Sequence, residues 1–505
     1  MKQYDVIVIG TGGASLVADA ALKAGKRVAV IEKTGFGGTC LTRGCIPTKV
    51  MVTAADVVHE SHGWKKIGVE TATPTLNWDV VSERVWKAIN KSKGVKEFYE
   101  SFDNADVYHG AATFVSDKVL YVTLQDGTKT EEITAPTIII GTGGHSKVNH
   151  VDGLEEAGYI TSEKLFGNEY PKVPYKRLAV FGGGPIGTEF AGVFAAAGTE
   201  VTLIQRNVRL LPKEDEAISA HILEEMKAIG VNVLTDTVCD NVRVDNSDKV
   251  ITVKNRTTGE VSEIRVDEIL VATGIAPSVE DLHLENTHIE QLPGGWIKTN
   301  EFLETSVEGV YALGDVNGNA AFRHRANYEG DIISHNLYRA TSPTDYRWAR
   351  YDLIPMVTFT YPEVGRIGMT EAEAKEAGYD VGVGINHYSN SAKGMALGID
   401  KGDVHDGFIK VVVDKATNRL LGAHIVGPQA SILFQPYVHL MNSGEVKLVP
   451  VHEDIGSSTT KELRAQGLTR YLDPQSVISI GEAMAPHPTL SEVSMWTQVF
   501  YEHKW

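Results

Sequence analysis

The 505-residue chain lacks any run of about 18 apolar residues, which excludes a membrane-spanning helix. Positive charge is in short supply. Its 48 Lys and Arg stand against 65 Asp and Glu, a formal net charge of −17 at pH 7. Neither nucleic acid nor an anionic membrane is therefore an expected partner. Cysteine is scarcer still: three residues in so long a chain cannot form the disulfide scaffold of a secreted domain. The N-terminus, MKQYDVIVIG, enters a strand-like run at once, without the separate apolar region and cleavage site of a signal peptide. Low-complexity segments are missing too. These absences point to a cytoplasmic, acidic protein with room for three or four domains at roughly 100–200 residues each.

Tyr4–Gly10, YDVIVIG, is a short, nearly continuous apolar run, as in a strand buried on both faces. TGGASLVADAALKAG follows as an amphipathic helix, and KRVAVIEK as a second strand. Strand, glycine turn, helix and strand fit within about 30 residues, the size of a βαβ unit. The pattern returns at Arg177–Arg206, the only large-scale repeat. Between the two units, Trp78 to Asn104 reads as helical. The stretch after Asp106 reads as short strands with a turn at Asp126-Gly127. After Tyr351, IPMVTFTYPEVGRIG and GFIKVVVDKATNRLLGAHIVG look like antiparallel strands of a separate α+β domain.

Both units carry a glycine loop. In the first, Gly10, Gly12 and Ser15 occupy the three fingerprint positions. The glycines allow a tight turn and a close approach of backbone to a pyrophosphate at a helix N-terminus. Ser15 fits the third position if the helix sits slightly further from the strand. Glu32 ends the second strand, where an acid bonds a ribose hydroxyl. The second loop, Gly182, Gly184 and Gly187, is complete, but Gln205 stands where Glu32 stands in the first. Arg206 follows at once and Arg209 is close by. An acid there would repel a 2′-phosphate and an arginine would attract it, which favours NADP(H) over NAD(H).

GGTCLTRGCIPTK, Gly37–Lys49, places Cys40 and Cys45 beside a proline. A structural staple does not suit a reducing compartment. A tetrahedral metal site would need further ligands at local spacing, and none is near, so no metal is expected. A dithiol at a helix start, in contrast, has its thiolate favoured by the helix dipole. Cys239 stands alone in a strand-like stretch and reads as a small buried residue.

Two dinucleotide folds with GGTCLTRGCIPTK after the first strand pair resemble the flavin-dependent pyridine nucleotide–disulfide oxidoreductases. YALGDVNG (Tyr311–Gly318), GTGG (Gly141–Gly144), ATGIAP (Ala272–Pro277) and HPTLSE (His487–Glu492) extend the resemblance along the whole chain. The resemblance implies an α/β fold of two Rossmann-like domains, for FAD and NAD(P), plus a C-terminal α+β dimerisation domain. The expected boundaries are 1–150 and 276–350 for the FAD-binding and central parts, 151–275 for NAD(P) and 351–505 for the interface domain. It also implies that Cys40 attacks the substrate disulfide and that Cys45 exchanges electrons with the flavin. His487 would be the base for Cys40, oriented by Glu492 and supplied by the partner subunit of a homodimer. Lys49 and Glu189 match an ion pair near the flavin. Ala112, Thr142, Gly143, Asp315 and His324 would lie at the flavin nucleotide, and Val238 and Gly274 at the nicotinamide nucleotide.

The expected activity is FAD-dependent dithiol–disulfide exchange, most similar to that of dihydrolipoamide dehydrogenase, with lipoamide on a carrier domain as one form of substrate. Reduction of another small disulfide by NADPH is the alternative. A non-catalytic flavoprotein subunit or redox sensor is the alternative from another class. Several stretches depart from the family pattern. An insertion spans about 445–472, GPQASILF lacks an acid, and GIAPS replaces an arginine-bearing version. The tail carries no cysteine pair, which disfavours mercuric reduction. The intact dithiol disfavours a soluble transhydrogenase.

Overall fold

The computed structural model describes residues 1–497. Val6–Ile9 and Val28–Glu32 are buried along their whole length and pair in parallel, as their unbroken apolar runs require. Thr137–Ile140 and Val310–Ala312 continue the parallel sheet on one side, and Ala105–Ser116 on the other. Val119–Leu124 and Ile133–Thr134 extend it as an antiparallel meander. The chain thus leaves this first domain after residue 140 and returns to it near residue 310. Helix Ser15–Lys23 buries Val17, Ala18, Ala21 and Leu22 against the sheet. Helix Arg323–Tyr338 lies over it so closely that a Cβ at Gly13 would stand 2.8 Å from Ala326.

The second domain repeats the plan. Asn232–Leu234, Glu200–Ile204, Arg177–Phe181, Glu268–Val271 and Ile160–Thr161 form a five-stranded parallel sheet. A three-stranded antiparallel sheet, Thr237–Asp245, Asp248–Asn255 and Val261–Val266, packs beside it. The C-terminal domain is built on five antiparallel strands: Met356–Thr358, Val364–Gly368, Arg419–Val426, Phe408–Asp414 and Val381–His387. Buried Lys410 ties it to the second domain, with Nζ 2.9 Å from Asp215 Oδ1 and 2.7 Å from Glu371 Oε2.

The stretch read as an insertion is ordered structure. Strands Gly444–Lys447 and Thr469–Leu472 pair antiparallel, with helix Ser458–Gln466 between them. Val446, Leu463 and Leu472 pack on Phe302 and Trp348 of the same chain. The helical reading of Trp78 to Asn104 resolves into two helices, Trp78–Asn90 and Lys93–Glu100. No described helix is long and apolar enough to cross a membrane.

Candidate active site

Cys40 lies in the short helix Gly38–Thr42, and Cys45 is the first residue of the 17-residue helix Cys45–Ser61. The turn between them is tight: a Cβ at Gly44 would stand 3.0 Å from Thr39 O. No disulfide joins the two cysteines in this structure. Cys40 Sγ is 3.1 Å from His487 Nε2, and His487 Nδ1 is 2.8 Å from Glu492 Oε1. Thr489 N–H donates to the other oxygen of Glu492 and fixes that carboxylate. Cys45 is lowered to about 7, first by its hydrogen bond with Cys40, then by His487, Lys49 and Arg323 acting against burial. Cys40 is pushed up by the same bond and by burial.

Within the one chain described, His487 and Cys40 lie together. His324 completes the link: its Nε2 is 2.8 Å from Pro355 O and its Nδ1 accepts from His487 N–H at 3.2 Å. Both ring nitrogens are satisfied by a neutral imidazole, and burial holds the pKa of His324 down to about 3. From the sequence His324 had only a backbone role at the flavin.

The third soft donor was also invisible to local spacing. Cys40, Cys45 and His487 have ligating atoms within 4.8 Å of one another, a group able to hold a thiophilic metal ion. Cys239 behaves as expected of a small half-buried residue, its thiol pushed up to about 12 by burial.

Lys49 Nζ is 2.6 Å from Glu189 Oε2 and 4.3 Å from the centre of the Phe359 ring. Glu189 Oε1 accepts from Phe359 N–H. The pair thus joins the dithiol helix, the second domain and the C-terminal domain.

The residues around the first glycine loop fit a flavin dinucleotide. Gly10 has φ +96°, and a Cβ there would lie 2.3 Å from Gly141 O, so only glycine closes this turn. Gly12 leaves open space with Arg323 Nη1 at its edge. Thr142 Oγ1 is buried without a hydrogen-bond partner. Neither the Asp315 carboxylate nor the Arg323 guanidinium has a hydrogen bond or ion pair among the described residues. Burial raises the pKa of Asp315. Such groups await a ribityl hydroxyl and a pyrophosphate. Gly143, at φ +73°, follows Thr142 in the same loop. Ala112 lies on the part of Ala105–Ser116 that runs on past Glu32, where no strand pairs its free edge. Glu32 is buried and accepts from Thr11 N–H at 2.9 Å and Thr11 Oγ1 at 2.7 Å. Arg323 escaped the sequence reading, although its position two residues before a second arginine in RHRANYEG was in view.

Gln205 copies the hydrogen bonding of Glu32 without its charge. It is buried, its Oε1 accepts from Gly183 N–H at 3.2 Å, and its Nε2 donates to Arg209 O at 3.0 Å. The Arg206 and Arg209 side chains have no hydrogen bond or ion pair among the described residues. Arg256, not singled out from the sequence, reaches Arg206 O at 3.1 Å. Thr237 N–H donates to Gln205 O, which sets Val238 beside the loop. Gly274, at φ +122°, follows the strand that borders Gly182. A Cβ at Gly182 would lie 2.3 Å from Ala272 O, and one at Gly187 would lie 1.8 Å from Gly182 O.

Known proteins share this plan. The family model described as pyridine nucleotide-disulphide oxidoreductase matches residues 4–330, and that of its dimerisation domain matches residues 354–455. A dihydrolipoyl dehydrogenase of Corynebacterium glutamicum is 34% identical over 447 residues, covering 87% of this chain and 92% of that protein. A mercuric reductase of Staphylococcus aureus is 34% identical over 435 residues, covering 85% of this chain and 75% of that protein. The HOCl-induced flavoprotein disulfide reductase RclA of Escherichia coli, solved as its Cu(II) complex, superposes with a TM-score of 0.74. It is 25% identical and covers 99% of this chain and 100% of that one.

Proposed function

The chain belongs to the pyridine nucleotide–disulphide oxidoreductase family, and from that premise we propose that it moves electrons between NADP(H) and a small dithiol or disulfide through Cys40 and Cys45. The observation that carries this reading is the relay from Cys40 Sγ to His487 at 3.1 Å and on to Glu492 at 2.8 Å. FAD is the cofactor of the family, and when bound it supplies the two-electron link between nicotinamide and dithiol. Gly10, Gly12, Thr142, Asp315 and Arg323 would hold it. The dimerisation domain supports a homodimer.

The exchange step balances on the chain's own residues. In the reduced pair, His487 takes the proton of the Cys40 thiol. The Cys40 sulfur then attacks a substrate disulfide, and a Cys40–substrate S–S bond forms as the substrate's S–S bond breaks. The leaving thiolate takes the proton from His487. The Cys45 thiolate next attacks the Cys40 sulfur, which re-forms the Cys40–Cys45 disulfide and releases the second half of the substrate as a thiolate. Glu492 keeps the imidazole aimed throughout. Run backwards, the same steps oxidise a dithiol such as lipoamide on a carrier domain.

The test is steady-state turnover with dihydrolipoamide and a panel of small disulfides, each with NAD(H) and NADP(H). Turnover with at least one of them is expected. Flavin reduction by the nucleotide with no turnover of any would discard the reading and favour a non-catalytic role. The three soft donors within 4.8 Å favour a second reading, in which a thiophilic metal ion is the substrate reduced at the dithiol. Nucleotide oxidation driven by Cu(II) or Hg(II), lost in Cys45→Ser, would support it.

A further inference from the structure

We propose that residues 400–406 form a proton-operated clasp: a protonated His405 fastens the C-terminal domain to the second domain, and loss of that proton loosens the joint. The clasp is not part of the dithiol site.

The clasp lies in the connection between Val381–His387 and Phe408–Asp414, two neighbouring strands of the C-terminal sheet. Its turns are closed by its own backbone. Asp403 N–H donates to Asp400 O, Asp406 N–H to Asp403 O, and Gly407 N–H to His405 O. Buried Asp406 pins the base by accepting from Ser389 N–H at 2.9 Å and Ser389 Oγ at 2.7 Å. Two side chains then reach the other domains. Asp403 bonds Lys66, in the short turn of helix Trp64–Ile67 that follows the dithiol helix. His405 Nδ1 lies 2.8 Å from Glu225 Oε2, on helix Glu216–Ala228 of the second domain.

The two ends of the His405–Glu225 contact differ in access. His405 is half-exposed, so it exchanges protons with water, whereas Glu225 is fully buried. The second oxygen of Glu225, Oε1, stands 3.4 Å from His221 Nε2 one turn back, and neither atom has a hydrogen bond. A carboxylate taken out of water needs a cation and good hydrogen bonds, so a protonated His405 is its best match. The other groups around the pair are occupied elsewhere. His387 Nδ1 is 3.6 Å from Asp406 Oδ2, and Phe408 meets the rings of His221 and His387 at 5.7 and 5.6 Å. Lys66 answers Asp403 and Asp400. Tyr361 is held protonated by burial first, then by Glu60 and Glu225.

The sign of the pH dependence follows. The hydrogen bond from Glu225 is the largest cause raising the pKa of His405, with the charges of Glu225 and Asp403 adding to it against burial and Lys66. A raised histidine contributes its full stabilisation below its ordinary value of about 6.5 and loses it as pH rises through the raised one.

Hydrogen exchange of the FAD-loaded full chain tests the clasp, read by mass spectrometry over residues 400–406 and corrected for intrinsic rates. Protection is expected to be about tenfold lower at about pH 9 than at about pH 6, the low end for a hydrogen bond to a charged group because His405 is half-exposed. His405→Gln should be weakly protected at both pH values, and its half-exposed position lets the chain fold. Glu225→Gln, which keeps an acceptor and removes the carboxylate, should also lose the pH dependence. His221→Gln should retain it. Equal wild-type protection at the two pH values would overturn the clasp, and so would a pH dependence that survives His405→Gln.

Discussion

The two dinucleotide units share a plan and their first two loop glycines, and differ in the residue that ends the second strand, in the third loop position and in what covers the loop. In the first, an acid, Glu32, accepts from the glycine loop, and the dithiol helix follows the second strand directly. In the second, neutral Gln205 makes the corresponding bond to Gly183 N–H, and unpaired arginines replace the dithiol segment. The first unit is also covered, with helix Arg323–Tyr338 over its loop. The second leaves Gly184 and Gly274 open, with nothing within 4 Å of a Cβ placed at either. The difference separates two tasks. A covered, charged loop suits a permanently held nucleotide next to the dithiol. An open loop edged with arginine suits one that arrives, reacts and leaves.

The largest expected effect comes from severing the first unit's dithiol from the second unit's nucleotide. Removing a positioned acid–base group typically lowers a rate by about 10²–10⁴. His487→Ala should lose disulfide turnover by this factor while flavin reduction by the nucleotide stays fast. Cys45→Ser should break the link between flavin and dithiol. Cys40→Ser should also end turnover but leave Cys45 as a thiolate, so the two variants should differ in visible absorption. Equal spectra would reverse the assignment of the two thiols. The pH dependence has a definite sign. Because Cys45 is lowered to about 7, its thiolate in the reduced protein persists down to about pH 7 and is protonated below it. Removing Cys40 takes away the largest cause, so Cys40→Ala should move this transition, followed by thiolate ultraviolet absorbance, to higher pH.

Much of this was legible in the sequence because it is local. The runs YDVIVIG and RLAVF, the glycine loops, and Cys40 and Cys45 at a helix start each follow from neighbours within one βαβ unit. The Lys49–Glu189 and His487–Glu492 pairs came from resemblance and are present as bonded pairs. What sequence could not show depends on contacts between distant segments. His324 holds His487 across 163 positions, and Arg256 meets Arg206 across 50. The polar texture of residues 445–472 reads as an insertion. Only the docked structure shows Arg464 neutralising a buried Glu301.

Nucleotide choice is the next largest effect and tests the second unit directly. A charge-assisted bond to a 2′-phosphate is worth about 1.5–3 kcal/mol, or roughly 10- to 150-fold in affinity. Arg206→Ala should weaken NADPH by a factor in this range and leave NADH nearly unchanged, with Arg209 and Arg256 retaining part of the preference. Gln205→Glu should shift preference toward NADH, because the carboxylate would mimic Glu32 and repel the phosphate. The measurement is kcat/KM for both nucleotides in wild type and the two variants. A wild-type preference for NADH would mean that the arginines serve only solvation.

The smallest effect lies in the third loop position, where the units differ by Ser15 and Gly187. A Cβ at Gly187 would stand 1.8 Å from Gly182 O, so the helix there rests against the turn. Ser15 already carries a Cβ, and the close contact in the first unit moves to Gly13 and Gly141 instead, at 2.8 Å from Ala326 and 2.5 Å from Ala14. Gly187→Ala must therefore push helix Pro185–Ala196 away from its strand, and overpacking of this kind costs about 1–3 kcal/mol. The displacement should also weaken nucleotide binding, since the same helix N-terminus faces the pyrophosphate. Ser15→Ala removes one half-exposed hydroxyl and should change stability by no more than about 0.5 kcal/mol. Chemical denaturation of both variants, with nucleotide affinity measured alongside, checks the pair. Equal destabilisation by the two substitutions would show that the helices sit at the same distance from their strands. The first loop's tolerance of serine would then need another cause.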